Sequence, residues 1–226
     1  MDHLRSMKDK QYKIAIVDPP YYSGHEKRPF YGNKVSVTGV SRDEYPITDT
    51  WQVPDKEYFD QLFRVSENQI IWGCNYYQYQ FGSGRIVWDK VNGNTDFSDC
   101  ELAYCSFHDS TRMFRFMWNG MMHGKSIGEG HIMQGNKKLN EPRIHPTQKP
   151  VLLYKWLLKE YAKPGDNILD THLGSGSHRI AAWDMSFDFV GLEIDPTHFA
   201  NQEKRFQKHI ALERAQPKIN YEQRIN

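Results

Sequence analysis

Asn167-Ile168-Leu169-Asp170-Thr171-His172-Leu173-Gly174-Ser175-Gly176-Ser177-His178-Arg179-Ile180-Ala181-Ala182 is the stretch that decides the fold. A short apolar run, a glycine turn and a second apolar run follow one another, which predicts strand, turn and helix. Pro164-Gly165-Asp166 supplies the turn before it. Gly174 and Gly176 let the backbone approach a ligand closely at the start of a helix, where N–H groups face outward. Asp188-Phe189-Val190-Gly191-Leu192-Glu193 makes the next strand and ends in a carboxylate 19 residues past Gly174. In a nucleotide-binding βαβ unit an acidic residue in that place takes ribose hydroxyls. The dinucleotide fingerprint wants a third glycine, and Arg179 stands there instead. Pyrophosphate is therefore disfavoured. A ligand with a ribose and no diphosphate, such as S-adenosylmethionine, fits better.

A second strand ends in an unusual turn. Lys13-Ile14-Ala15-Ile16-Val17 reads as a buried strand, and Asp18-Pro19-Pro20-Tyr21 follows it directly. Two prolines end the ladder because neither offers a backbone N–H. The turn thus lies at the carboxyl end of a strand, the edge where open α/β sheets bind ligands. It presents one carboxylate, carbonyl acceptors and an aromatic ring, a set suited to a planar group carrying an exocyclic amine. Taken alone, the tetrapeptide reads equally as a strand-ending turn with a capping aspartate.

With both turns in view, the chain resembles the amino-directed DNA methyltransferases that modify adenine N6 or cytosine N4. The matching pieces are Asp18-Pro19-Pro20-Tyr21, His145-Pro146-Thr147-Gln148-Lys149-Pro150, Asp170-Thr171-His172-Leu173-Gly174-Ser175-Gly176 and Gly191-Leu192-Glu193-Ile194-Asp195. The catalytic turn precedes the cofactor turn, the permuted order of that family's beta class. The His-Pro-Thr-Gln-Lys-Pro element is highly specific to it, and the resemblance runs from residue 12 to about residue 210.

The resemblance implies an α/β, Rossmann-like S-adenosylmethionine-dependent methyltransferase fold. Its sheet would be mostly parallel and seven-stranded, with helices on both faces and an antiparallel seventh strand near the edge. Asp18 and the Pro19 carbonyl would accept the amine hydrogens of a flipped base, Pro20 would shape the turn, and Tyr21 would stack on the base. An aspartate heading the turn favours adenine in this family, whereas serine is more usual for cytosine N4. Glu193 would take the ribose hydroxyls, and Gly174, Ser175 and Gly176 would pass beneath the methionine portion. Asp170 would hold the ammonium or orient the turn. Thr147 and Lys149 would sit near the cofactor or the catalytic turn; read without the resemblance, they are a helix cap and a surface charge. Thr171 and His172 depart from the usual proline and phenylalanine, and His172 keeps a flat ring beside the cofactor.

Length suits one domain over residues 1–226. The 29 basic and 28 acidic residues nearly cancel, so global charge does not announce nucleic acid. Cys74, Cys100 and Cys105 are odd in number and lack metal-ligand spacing, which predicts reduced thiols, no metal and a cytoplasmic protein. Residues 1–10 carry no signal-peptide core, and no run approaches the length of a membrane span. Strands are predicted at 14–17, 69–72, 85–88, 102–106, 167–169 and 188–193, and helices at 55–65, 150–161, 177–185 and 196–209.

Two glycine- and proline-containing segments, about 22–54 and 108–144, read as long loops suited to DNA recognition. The second carries Arg112, Arg115, Lys125, Lys137, Lys138 and Arg143, with Phe114, Phe116 and Trp118 between them. Such a segment grips phosphates and stacks on bases, or is simply a solvated surface. Double-stranded DNA is the expected partner. The catalytic turn starts close to residue 1, so a homodimer or partner subunit is a natural source of cover for the cofactor. Competing readings are cytosine N4 methylation, RNA as substrate, a non-catalytic nucleic-acid-binding subunit, and a nicotinamide-dependent oxidoreductase. Arg179 and the proline turn argue against the last.

Overall fold

Alternation along the central strands sorts the core into two layers. In the computed structural model, residues 1–21, 52–93, 98–120, 122–145 and 147–215 are described. The strands are β1 (Tyr12–Val17), β2 (Ser66–Trp72), β3 (Arg85–Asp89), β4 (Cys100–Cys105), β5 (Thr111–Arg115), β6 (Trp118–Asn119), β7 (Met122–His123), β8 (Asn167–Asp170) and β9 (Asp188–Gly191). The helices are α1 (Asp2–Ser6), α2 (Lys56–Val65), α3 (Val151–Tyr161), α4 (Ser177–Asp184) and α5 (Pro196–Ala215). Ile14, Ile16, Ile70, Trp72 and Ile168 face one layer with Leu153, Leu157 and Leu158 of α3 and Ala181 and Ala182 of α4. Ala15, Val17, Ile71 and Leu169 face the other with Leu4 of α1 and Tyr58, Phe59, Leu62 and Val65 of α2. A strand buried on both faces needs the near-continuous apolar run that β1 supplies.

Seven strands form one sheet in the order β5-β3-β4-β2-β1-β8-β9. All pairs are parallel except those of β4, which runs antiparallel to β2 and β3. The expected antiparallel strand is therefore not an extra edge strand. It is the segment predicted at 102–106, and it lies third from one edge. The span between β3 and β4 carries no helix among its described residues and brings the chain back antiparallel. The actual seventh strand is β5, within the segment read as a long loop. Its exposure explains the difference: of Thr111–Arg115 only Phe114 is buried, so no apolar alternation marks it as a strand. Phe114, Phe116 and Trp118 are core residues rather than surface rings for stacking. The first predicted recognition loop, apart from residues 52–54, lies outside the described residues.

β1 and β8 are adjacent and parallel, and the chain leaves them in opposite directions across the sheet, to β2 and to β9. The carboxyl ends of β1 and β8 thus flank a topological switch point, where an open α/β sheet leaves a crevice. Asp18 and the Gly174 turn follow those two ends. The fully buried Leu157 on α3 anchors the layer beneath them. Leu157→Ala is expected to cost about 2–5 kcal/mol in urea unfolding, while exposed Leu139→Ala should stay within about 0.5 kcal/mol.

Candidate active site

At the end of β1, Asp18 meets a buried lysine from a distant part of the chain. Lys149 Nζ lies 2.6 Å from Asp18 Oδ1, 2.9 Å from Glu101 Oε2 and 2.8 Å from the Tyr21 hydroxyl. Its side chain is 3% exposed, so the ammonium depends on these partners in place of water. Tyr21 Oη is in turn 2.8 Å from Asp18 Oδ1 and 2.9 Å from Glu101 Oε2. Lys90 pairs with the other Glu101 oxygen. The Asp18 contacts fall on Oδ1; among the described residues none reaches Oδ2. Tyr77 donates its hydroxyl to the Pro19 carbonyl at 2.8 Å, which fixes the proline turn and leaves that oxygen a second lone pair.

Electrostatics divide the two carboxyls. Burial and the neighbouring Glu101 push Asp18 above the ordinary aspartate range, against the pull of Lys149 and Tyr21. Burial also works to raise Glu101, yet Lys149 and Lys90 together bring it down to about 2. One carboxylate has two cations and the other shares one, and that asymmetry accounts for the opposite directions. Burial lowers the Lys149 ammonium, but Asp18 and Glu101 outweigh it and keep the amine protonated. Burial and the two carboxylates hold Tyr21 as a phenol.

Tyr21 is also fixed through its ring, which stacks on Tyr76 at 5.1 Å with the planes 8° apart. A Cβ on Gly73 would stand 2.2 Å from that ring, and Gly73 has φ +71°. The residue after β2 therefore has to be glycine if Tyr21 is to keep its place. Tyr21, Gly73, Asn75, Tyr76, Cys100, Glu101 and Leu102 line a cleft beside the proline turn.

The second turn is held by carboxylates. Asp170, buried at the end of β8, accepts from the His172 backbone N–H at 2.9 Å and faces His178 Nδ1 at 3.0 Å. Of its two sequence readings, orienting the turn is the one these bonds serve. Glu193 accepts from the Gly174 N–H at 2.8 Å and from the Asp195 N–H at 3.0 Å, bridging the glycine turn to the end of β9. Gly174 and Gly176 have φ of +50° and +73°, and Gly176 caps α4. Ser175 is buried, with its carbonyl bonded to Arg205 at 2.7 Å. His172 stands edge-on to Tyr58 at 5.4 Å, and burial lowers its pKa to about 4 against the weaker pull of Asp170.

The segment before α3 joins the two turns. Lys149 belongs to the proline turn rather than to the glycine turn. Thr147 instead donates to His145 Nδ1, and a Cβ on Gly174 would lie 3.9 Å from His145 Nε2. Glu141 clamps this segment, accepting from Gln148 Nε2 at 2.8 Å, Val151 N at 2.9 Å and Arg205 Nη2 at 2.5 Å. Trp118 donates its indole N–H to the Gln148 carbonyl at 2.8 Å.

The basic residues of 108–144 are dispersed. Arg112 is exposed on β5, and Arg115 pairs with Asp89 at 2.7 Å. Lys125 pairs with Glu129 at 2.7 Å. Lys137 and Lys138 are exposed on a 3-10 turn, and Arg143 lies over the Trp118 ring at 4.4 Å. Sequence reasoning missed Glu101 and Lys90. Glu101 fell just outside the predicted strand, and its strand had to be antiparallel to bring its first residues to this edge. Among the described residues no group of His, Cys, Asp or Glu could hold a metal, and no helix is long and apolar enough to cross a membrane.

Comparison with known proteins places this geometry in context. Residues 33–204, well over half the chain, match the N6/N4 methyltransferase family described as DNA methylase. The type II methyltransferase M2.DpnII of Streptococcus pneumoniae is 33% identical across 90% of the chain and 85% of its own length. The type II methyltransferase M.HinfI of Haemophilus influenzae is 22% identical across 92% of the chain, which spans 66% of that relative. Among solved structures, PvuII DNA methyltransferase (cytosine-N4-specific) has a similar fold, with TM-score 0.50 at 13% identity over 92% of this chain and 86% of that one.

Two outcomes are expected from this geometry. Gly73→Ala should displace Tyr21 and remove most activity while circular dichroism stays native; full activity would show that the ring position is dispensable. His172 is neutral in the folded chain down to about 4 but titrates near 6.5 when unfolded. The unfolded state binds that proton first, so stability is lost as pH falls from about 6.5 to about 4. His172→Phe should flatten part of that fall in urea titrations at several pH values, leaving the share of His123, which behaves alike. An unchanged slope would exclude His172 as a source.

Proposed function

The chain belongs to the N6/N4 family of DNA methylases, and from that premise we propose that it transfers a methyl group from S-adenosylmethionine to the exocyclic N6 amine of an adenine flipped out of double-stranded DNA. The observation that carries this reading is the pairing of Asp18–Tyr21 and the Gly174 turn across the switch point between β1 and β8. The residues at the second turn suit the donor: positive-φ glycines allow close approach, and Glu193 sits beside Gly174 with lone pairs left for ribose hydroxyls. Asp170 and His172 shape that turn, Ser175 lies within it, and Thr147 braces it through His145.

Bound there, S-adenosylmethionine supplies an electrophilic methyl on a positive sulfur. The residues of the chain have to present a poor nucleophile, since the lone pair of the adenine amine is delocalised into the ring. Asp18 Oδ2 accepts one amine hydrogen and the Pro19 carbonyl the other, turning the nitrogen toward tetrahedral geometry. Both bonds strengthen as positive charge grows on nitrogen, so they act on the transition state more than on the bound base. Holding donor and amine in line accounts for as much as about 7–11 kcal/mol of such a barrier. Pro19 and Pro20 offer no N–H with which β1 could continue, and the Pro19 carbonyl keeps a lone pair beside its bond to Tyr77. Tyr21 supplies an aromatic surface that offsets part of the few kcal/mol of flipping. Exposed Arg112, Lys137 and Lys138 contribute phosphate contacts, whereas Arg115, Lys125 and Arg143 are already engaged within the fold.

The test is transfer of labelled methyl to mixed-sequence unmethylated duplex DNA, read by nucleoside mass spectrometry. N6-methyladenine is expected; N4-methylcytosine would keep the mechanism and overturn the base. Asp18→Ala should lower transfer by on the order of 100-fold or more with calorimetric donor affinity retained. Near-normal turnover would remove Asp18 from the reaction.

A further inference from the structure

The proton inventory around Asp18 singles out a residue from another strand. Lys149 has three N–H bonds, and three oxygens surround it: Asp18 Oδ1, Glu101 Oε2 and Tyr21 Oη. Tyr21 has one hydroxyl proton and two carboxylate oxygens within 2.9 Å. A single proton cannot lie fully along both lines, so Asp18 and Glu101 compete for it. Glu101 enters that competition with a cation of its own, Lys90, on its second oxygen. The two carboxylates arrive on β1 and β4, and the lysine on the segment before α3, so the arrangement depends on the tertiary fold.

We propose that Glu101 is a positioning residue of the reaction: by dividing the Lys149 ammonium and the Tyr21 hydroxyl with Asp18, it governs whether Asp18 meets the substrate amine as a carboxylate and how readily it then accepts a proton. This rests on the methyl-transfer reading above. The amine loses a proton once the N–CH3 bond has formed, and a carboxylate with incomplete hydrogen bonding and a like charge beside it takes protons more readily than an isolated ion pair. The remaining groups facing Asp18 do not titrate in the relevant range. Tyr58 on α2, Tyr77 after β2 and Tyr154 on α3 are all driven far up by burial and remain neutral phenols. Lys149 remains charged. Among the groups around the amine the acid limb therefore falls to Asp18: activity is lost as pH falls through its titration and regained above it. Any share of His172 at the glycine turn is common to every variant and cancels between them.

The experiment is the pH profile of single-turnover methyl transfer from labelled S-adenosylmethionine to duplex DNA, in the intact chain and two variants. Glu101→Gln removes the competing charge, and Asp18 then keeps Lys149 and Tyr21 to itself. Its acid limb should move to lower pH by about one unit, with a slower plateau. Lys90→Gln removes a cation from the same network without touching Asp18, and its limb should move to higher pH. That variant alters a part-exposed pair and carries the test if Glu101→Gln does not fold. Slower transfer with the limb in place in whichever variants fold would overturn the inference while leaving the methyl-transfer reading intact. Absence of transfer by the intact chain, with donor bound, would overturn both.

Discussion

A buried ammonium has to be neutralised where it lies, and the site is arranged around that requirement. Lys149 cannot reach water, so the chain brings it two carboxylates and a phenol from two separate places, the proline turn and β4. Removing one partner from such a cluster leaves a charge uncompensated, at a cost of about 3–5 kcal/mol. The proline turn, the first residues of β4 and the entry to α3 are therefore fixed together by one side chain. Preorganisation of this kind is what a reaction with a weak nucleophile demands, because the acceptors must be in place before charge develops.

The same economy holds on the other side of the switch point. Asp170 and Glu193 each give one oxygen to a backbone N–H of the glycine turn, that of His172 and that of Gly174. The turn is stiff before a ligand arrives, and less ordering remains to be done on binding. The segment 141–149 spans the two halves, with His145 and Thr147 at the glycine turn and Lys149 at the proline turn. A segment far in sequence from Asp18 thus sets the spacing between the two ends of the reaction.

Much of this was legible in the residues. The apolar runs at Ile14–Val17 and Ile168–Leu169, each stopped by a turn with a defined backbone demand, fixed both strand ends and the permuted order. Glu193 was singled out by its distance to Gly174, and its carboxylate bonds the Gly174 N–H. Glu101 and Lys90 were not legible, because an antiparallel strand reverses which of its ends reaches the ligand edge, and local pattern carries no strand direction. The basic residues misled for a related reason. Of Thr111–Arg115 only Phe114 is buried, and an edge strand with one buried residue between two arginines looks like a polar loop when read one residue at a time. Lys149 shows the limit of motif reading: its motif located it near the site but could not say which of two turns it serves.

The Glu141 clamp has a consequence for how this protein can diversify. Its carboxylate ties Gln148, the first turn of α3 and Arg205 into one unit immediately before Lys149. On the far side of it, Lys137–Leu139 stands exposed on a single 3-10 turn. Residues 137–139 lie outside these bonds, so changes confined to that exposed turn leave the partners of Glu141 in place. One glutamate thus marks where an exposed surface turn gives way to a segment whose bonds lead directly to Lys149.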